Sequence, residues 1–499
     1  LNETRPVSHS VRVLFVAGII ALILSACQAI TPPRLATREA ATTTGPAPTA
    51  EKLFIPAPTA TANPTGMSLS APAAAPQLNV WLNETSPEHR RLAAEMARDF
   101  TERTGIDLAV QLISSPDLPD LVHTAVLSDT LPDVIIHPLE YTIAWTEASI
   151  LDPDAGDEIV NEIGRETFDR AALDMVDYEG KTAAIPSDGF QQLLIYRSDW
   201  FEDKRLDSPD TYAAMLDSAE SIFDPENITS GLVIPTESNL ISTQRAFEHL
   251  AIANGCRLID ETGEVALLEP ACRDALDFYF SIINQYSPPG VQTDTSARNA
   301  FLDGRTGMIM TTPSILPALA EANRLDRNTG IVTNISGEAA NAEPTNFGNI
   351  TYMGITPVAD RAAAAEFAGY WFNEGYQNWL AVESERKVPM RLGTVERPRF
   401  YIDAWGDSSV LEGESLRDIY GDQIVTQLRD GISGSPRWGF GKGQGGLTGQ
   451  AYEKLTFSIV LQEMLSGYFN SEKTIFEAYK RVTDLIPNYA FPLVPTPEP

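Results

Sequence analysis

The 499-residue sequence predicts an α/β fold, and three observations carry that reading. Short apolar runs alternate with helically spaced segments between Leu78 and Ile136, a helix-rich pattern follows Tyr212, and Gly/Pro clusters separate the segments. Leu78-Asn-Val-Trp-Leu82 reads as a buried strand. Residues 88–103 place Leu92, Met96 and Phe100 at i, i+4 and i+8 of a helix that Thr104-Gly105 stops. A second strand is expected at 107–113, a short helix at 119–127 and a third strand at 132–136. Apolar strands interleaved with helices predict a mixed, mostly parallel sheet flanked by helices. Ligands of such sheets sit outside the carboxyl ends of the strands. Helical spacing recurs at 211–222, 244–253, 272–285, 362–382, 450–465 and 474–485, and 431–446 is a long Gly-rich loop.

The N-terminus has a different character. Arg5 and Arg12 precede an apolar run at 13–24, which leads into Leu24-Ser25-Ala26-Cys27. This is the pattern of a signal peptide over 1–26. A run of about a dozen apolar residues falls short of the roughly 20 that span a bilayer as a helix. Leu-Ser-Ala-Cys resembles the lipobox of bacterial lipoproteins, which implies that Cys27 carries a lipid anchor. From Cys27 to Pro76, 31 of 50 residues are Ala, Thr or Pro, so the stretch 27–76 is expected to be a disordered tether. Its r.m.s. span would be roughly 40 Å by square-root scaling.

The remaining stretch, 77–493, is long enough for two ordinary domains, and 494–499 is a short Pro-rich tail. The net charge is −32, and because the first 76 residues carry a small positive surplus, the rest holds about −34. Such a surface repels nucleic acid and anionic headgroups. Cys256 and Cys272 are the other two cysteines, and an exported chain sits where disulfides persist. Pairing would staple the turn after Cys256 to the helix that starts near Ala271; two buried thiols are the alternative.

A series of loose motifs then occurs in order. They include Leu131-Pro-Asp-Val-Ile-Ile136, Ser149-Ile-Leu-Asp-Pro153, Tyr178-Glu-Gly-Lys-Thr-Ala-Ala-Ile-Pro186, Leu193-Leu-Ile-Tyr-Arg197, Ser208-Pro-Asp-Thr-Tyr212, the segment from Ala300 to Met310, and Asn470 to Ala478. Together they resemble the family 1 extracellular solute-binding proteins, the maltose-binding-protein type that serves carbohydrate importers. The resemblance implies a two-lobe periplasmic-binding-protein type II fold with the ligand between the lobes. Lobe 1 would take about 77–188 and 347–430, and lobe 2 about 192–345 and 436–490. It also implies a monomeric receptor, tethered by lipid to the outer face of a bacterial cell membrane. Such a receptor hands a saccharide to ABC permease subunits, with no cofactor and no catalysis.

A sugar site needs carboxylates, amides or Arg for hydroxyl groups and aromatic rings for stacking. Candidates are Asn83 and Glu84 after the first strand, His137 and Glu140 after the third, and Asp188 and Phe190 past Pro186. Asn239 and Arg245 flank the start of the helix before Cys256, and Trp438, beside Arg437 in the Gly-rich loop, is the expected stacking platform. Tyr352 is a further candidate. After Met308, where many carbohydrate binders carry Pro followed by a stacking Trp, this chain has Pro313-Ser314. The five histidines, His9, His89, His123, His137 and His249, show no metal-site spacing, and no G-x-S-x-G elbow occurs. Gly441-x-Gly443-x-x-Gly446 lacks the preceding strand that a nucleotide site needs.

Overall fold

Apolar runs buried along nearly their whole length supply most strands of two sheets. The computed structural model describes residues 77–322, 324–407, 409–411 and 414–487, all within the unit Pro72–Pro499. The expected signal segment, Cys27, the tether and the tail 494–499 lie outside the described residues. The strands of the two larger sheets are β1 Gln77–Leu82, β2 Asp107–Leu112, β3 Val134–Pro138, β4 Ile185–Gln191, β5 Leu193–Tyr196, β6 Ser230–Val233, β7 Thr306–Thr311, β8 Gly330–Val332, β9 Gly348–Ile355 and β10 Val388–Pro389. The first sheet has the order β10-β4-β9-β3-β1-β2 and the second the order β8-β5-β7-β6.

Both sheets are mixed, and antiparallel pairings outnumber parallel ones. β1 pairs in parallel with β2 and β3, whereas β9 runs against β3 and β4, and β10 against β4. In the second sheet only β6 and β7 are parallel. The chain passes between sheets at Gln192, which alone separates β4 from β5, and it returns between β8 and β9. β9, which arrives from the other sheet, enters against the direction of β3 and β4.

The helix Pro87–Thr104 shows how the sequence sets an element. The Ser86 hydroxyl accepts from the His89 N–H, Pro87 opens the helix, and Gly105 closes it at φ 73°. Leu92, Met96 and Phe100 are buried against the first sheet. The expected helix at 362–382 is interrupted by a π-turn at Trp371–Gly375. The one expected at 450–465 is two helices, Gly445–Glu453 and Thr456–Leu465, broken where Leu455 takes φ 48°.

That break has a packing cause. Val460, Leu461 and Met464 of the second piece belong to the core of the second sheet. The first piece instead lies on the helix Leu139–Glu147, which follows β3 of the first sheet. A Cβ on Gly449 would meet the Glu140 carbonyl oxygen at 2.6 Å and the Ala144 Cβ at 2.7 Å, so glycine is what lets the two helices approach. One core cluster includes residues of both sheets, among them Leu193, Ile195, Val233 and Ile309 with Ile350, Tyr352 and Val388.

Cys256 and Cys272 are joined in a disulfide with both side chains buried. Replacing both by Ala is expected to lower the unfolding free energy by about 3 kcal/mol through lost loop constraint. Urea unfolding checks this; an unchanged free energy would contradict it.

Candidate ligand-binding cleft

Loops beyond the carboxyl ends of the strands enclose a cavity of about 480 Å³. Ser115, Asp120 and Tyr141 contribute from the first sheet's side; Asn239, Ser242, Arg245, Asp294, Arg298, Thr312 and Ser314 from the second; Gln192 lies at the crossing and Tyr452 and Glu453 on the helix Gly445–Glu453. Hydroxyl, amide, carboxylate and guanidinium groups thus converge on the cavity between apolar patches from Pro116, Pro119, Pro235, Leu240, Met310 and Leu455. Its aromatics among the described residues are Tyr141 and Tyr452, which are 3% and 1% exposed.

Beneath the wall lies a buried ionic network. Arg245 Nε and Nη2 donate to Glu140 Oε1 and Oε2 at 2.9 and 3.0 Å, and Arg437 Nη2 donates to Oε1 at 2.8 Å. Arg437 Nε also donates to Glu248 Oε1 at 2.9 Å, and Tyr452 Oη donates to Glu248 Oε2. Burial pushes the Glu140 carboxyl up, but the Arg245 and Arg437 guanidiniums outweigh it and hold it at about 2. Two carboxylates thus face two guanidiniums with good geometry, the condition under which buried charge is tolerated.

The expected site residues separate into groups. Asn239 and Arg245 line the cleft. Asn83 stands behind the wall: its Oδ1 accepts from Ser115 Oγ at 3.0 Å and its Nδ2 donates to the Ile113 carbonyl at 3.1 Å. Glu140 lies in the floor with no exposed surface and is saturated by arginines. β3 runs on through Pro138 directly into a helix, so His137 is not on a loop. It is buried in the strand opposite Tyr352, with Nδ1 against the Pro138 carbonyl. Tyr352 is buried too, its hydroxyl donating to Ala172. Phe190 pairs with Asn349 in the sheet and lies outside the cleft wall.

Glu84 and Asp188 belong to a second buried cluster. Arg386 pairs with Glu84 at 2.7 Å, and Lys387 Nζ sits 2.6 Å from His89 Nε2 and 3.5 Å from the centre of the Trp379 ring. The Asp188 carboxylate accepts from Ser187 Oγ and Trp379 Nε1. Burial raises it and the Lys387 charge opposes that rise. Donor atoms of Glu84, His89 and Glu383 come within 4.8 Å of one another. Arg386, however, already holds both carboxylates, which makes the group an ion-pair cluster.

Trp438 corrects the expectation most clearly. It is 4% exposed and packs on Phe247 and Phe457, and its indole N–H donates to the Cys256 carbonyl at 3.0 Å. It is a core residue of the second lobe, not a platform, because the Gly-rich loop turns inward and seats it there. Ser314 does reach the cleft wall, beside Thr312 at 2.8 Å. The sequence reading missed Asp120, Ser242, Asp294, Arg298 and Glu453. The carboxyl-end rule could have found Thr312 and Ser314, which follow β7 directly. Nothing local marks Asp294, which looks like an ordinary first residue after the Thr293 helix cap.

A profile for bacterial extracellular solute-binding proteins matches residues 95–400. YcjN of Escherichia coli (strain K12), provisionally named an ABC transporter periplasmic-binding protein, is 23% identical over 335 residues, covering 66% of this chain and 75% of that protein. The fold is similar to that of maltose-bound MalE3 of T. maritima, with TM-score 0.62, 17% identity and coverage of 83% and 100% of the two chains. It is also similar to a solute-binding protein of Agrobacterium radiobacter K84 in complex with ribitol, with TM-score 0.63, 17% identity and coverage of 82% and 99%.

Two outcomes follow from this burial. Trp438→Ala is expected to destabilise the protein by about 3–5 kcal/mol, the cost of emptying a packed aromatic site. Thermal unfolding checks it, and an unaltered melting temperature would return Trp438 to the cleft. His137 and His249 are both held at about 4 by burial. Between about pH 4 and the unfolded value near 6.5 the folded state binds fewer protons than the unfolded one. Stability is therefore expected to be full above that window and to fall as the pH drops through it, with a smaller fall in His137→Gln. A melting temperature unchanged between pH 7 and pH 4.5 would contradict this.

Proposed function

Because the chain belongs to the bacterial extracellular solute-binding proteins, we propose that it is the receptor of an ATP-driven importer and captures a small neutral sugar or sugar alcohol in the cleft. The observation that carries this reading is the wall itself, where hydroxyl, amide, carboxylate and guanidinium groups from both sides converge on one cavity. Polyhydroxylated solutes are held by such mixed donors and acceptors. Maltose and ribitol, the ligands of two proteins of similar fold, point the same way. With Tyr141 and Tyr452 buried and Ser314 in place of a Trp, the wall offers little for stacking. A compact ligand suits it better than a long oligosaccharide.

In this reading the protein performs no chemistry of its own. Glu140 and Glu248 are already engaged by Arg245 and Arg437, so neither is free to act as a general acid or nucleophile. Closure of the lobes on the ligand would signal occupancy to the permease subunits. No described helix is long and apolar enough to cross a membrane. Lipid attached at Cys27 would keep the monomeric receptor at the outer face of the membrane, with 27–76 as its tether.

Calorimetric titration with ribitol, D-mannitol, D-tagatose and maltose tests the reading. Saturable binding of at least one is expected, together with a rise in melting temperature that grows with ligand concentration. No binding to any, or consumption of the sugar, would contradict it.

A further inference from the structure

We propose that Arg245, Asp294 and Ser242 form a clamp for two neighbouring hydroxyl groups of the ligand. The inference rests on the function proposed above and names the part of the wall that would choose among polyhydroxylated solutes. Arg245 is the fixed member. Its Nε and Nη2 edge is held side-on by both oxygens of Glu140, which leaves Nη1 without a protein hydrogen-bond acceptor among the described residues. The side chain is 14% exposed at the cleft, whereas Glu140 beneath it is fully buried. A guanidinium gripped on one edge presents the other as a pre-oriented donor.

Asp294 supplies the acceptor. It opens the helix Asp294–Leu302 and lies beyond ion-pair distance of every described cation. The residue is exposed at the cleft; partial desolvation of its carboxyl raises it, against a Ser242 hydrogen bond and the Arg245 charge, which lower it. The Ser242 hydroxyl, one turn before Arg245 on the helix Ile241–Ala253, is buried beside that carboxylate. It is close enough to lower the carboxyl's pKa by hydrogen bonding, while its geometry falls short of a well-formed hydrogen bond.

A sugar hydroxyl is both donor and acceptor. One hydroxyl can accept from Arg245 Nη1 while donating to Asp294, and its neighbour can donate to the second Asp294 oxygen while engaging Ser242. Charge favours a neutral ligand over a carboxylate. Asp120, Glu453, Glu140, Glu248 and Asp294 outnumber Arg245, Arg437 and Arg298, so a carboxylate would meet a surplus of acidic groups.

The test uses the whole chain and whichever of ribitol, D-mannitol, D-tagatose or maltose binds best, with its set of mono-deoxy analogues. Affinities are measured for the wild type, Asp294→Asn and Ser242→Ala, and thermal melts of the unliganded variants establish that they fold. In the wild type, loss of either clamped hydroxyl is expected to cost at least about tenfold in affinity, because site groups are left unpaired. In Asp294→Asn the same deletions are expected to cost less than about threefold, since the charge and one of the two acceptor oxygens are already gone, with other deletions unchanged. Equal penalties in the wild type and Asp294→Asn, or affinity of the variant within about threefold of the wild type for the parent ligand, would overturn the clamp while leaving the receptor reading intact. A folded wild type that binds none of the four solutes would overturn both.

Discussion

The arrangement depends on one buried ionic contact, the grip of Glu140 on Arg245 and Arg437. Glu140 comes from the helix that follows β3 of the first sheet, Arg245 from a helix of the second lobe, and Arg437 from the loop that leads back between them. Each charge is costly to bury alone and tolerable only while its partners stay in place. The carboxylate therefore ties three distant pieces of chain at the base of the cleft. Glu248 extends the same logic, accepting from Arg437, from the Trp438 backbone N–H and from Tyr452. Through Trp438 the network reaches the Cys256 carbonyl and the disulfide.

Apolar packing supports this floor from both sides. A core shared by strands of both sheets fills the space around the crossings. The glycine face of Gly445–Glu453 lets that helix settle on Leu139–Glu147, which carries Glu140. The cleft wall above is thus built from loops on a fixed base. A receptor of this kind needs both properties: preformed polar groups that lose little freedom on binding, and loops on either side that can close.

The fold was legible because periodicity and capping are local. Leu92, Met96 and Phe100 mark a helix face, and Ser86 and Gly105 mark its ends, whatever surrounds them. The site was less legible because its members are defined by partners far away in sequence. Glu140 looks like a free carboxylate until Arg437, 297 residues on, is seen to occupy it. Trp438 in a Gly-rich loop looks exposed until Phe247 and Phe457 close over it. Conversely, Asp294 resembles a helix-entry acid, and only Ser242 and Arg245, about 50 residues earlier in the chain and beside it in the cavity wall, reveal its setting. Arg245 and Asn239 were found because they flank a helix start close to the strand ends, where topology alone directs ligands.

The most direct measurement of this account is the stability of Glu140→Ala in denaturant, followed by circular dichroism. If Glu140 holds Arg245 and Arg437 in the cleft floor, its removal leaves Arg245 without its ion-pair partner and Arg437 with Glu248 alone. Stability then falls by about 3–5 kcal/mol. A loss below about 1 kcal/mol, the range of solvent-exposed ion pairs, would contradict the central place given to that contact.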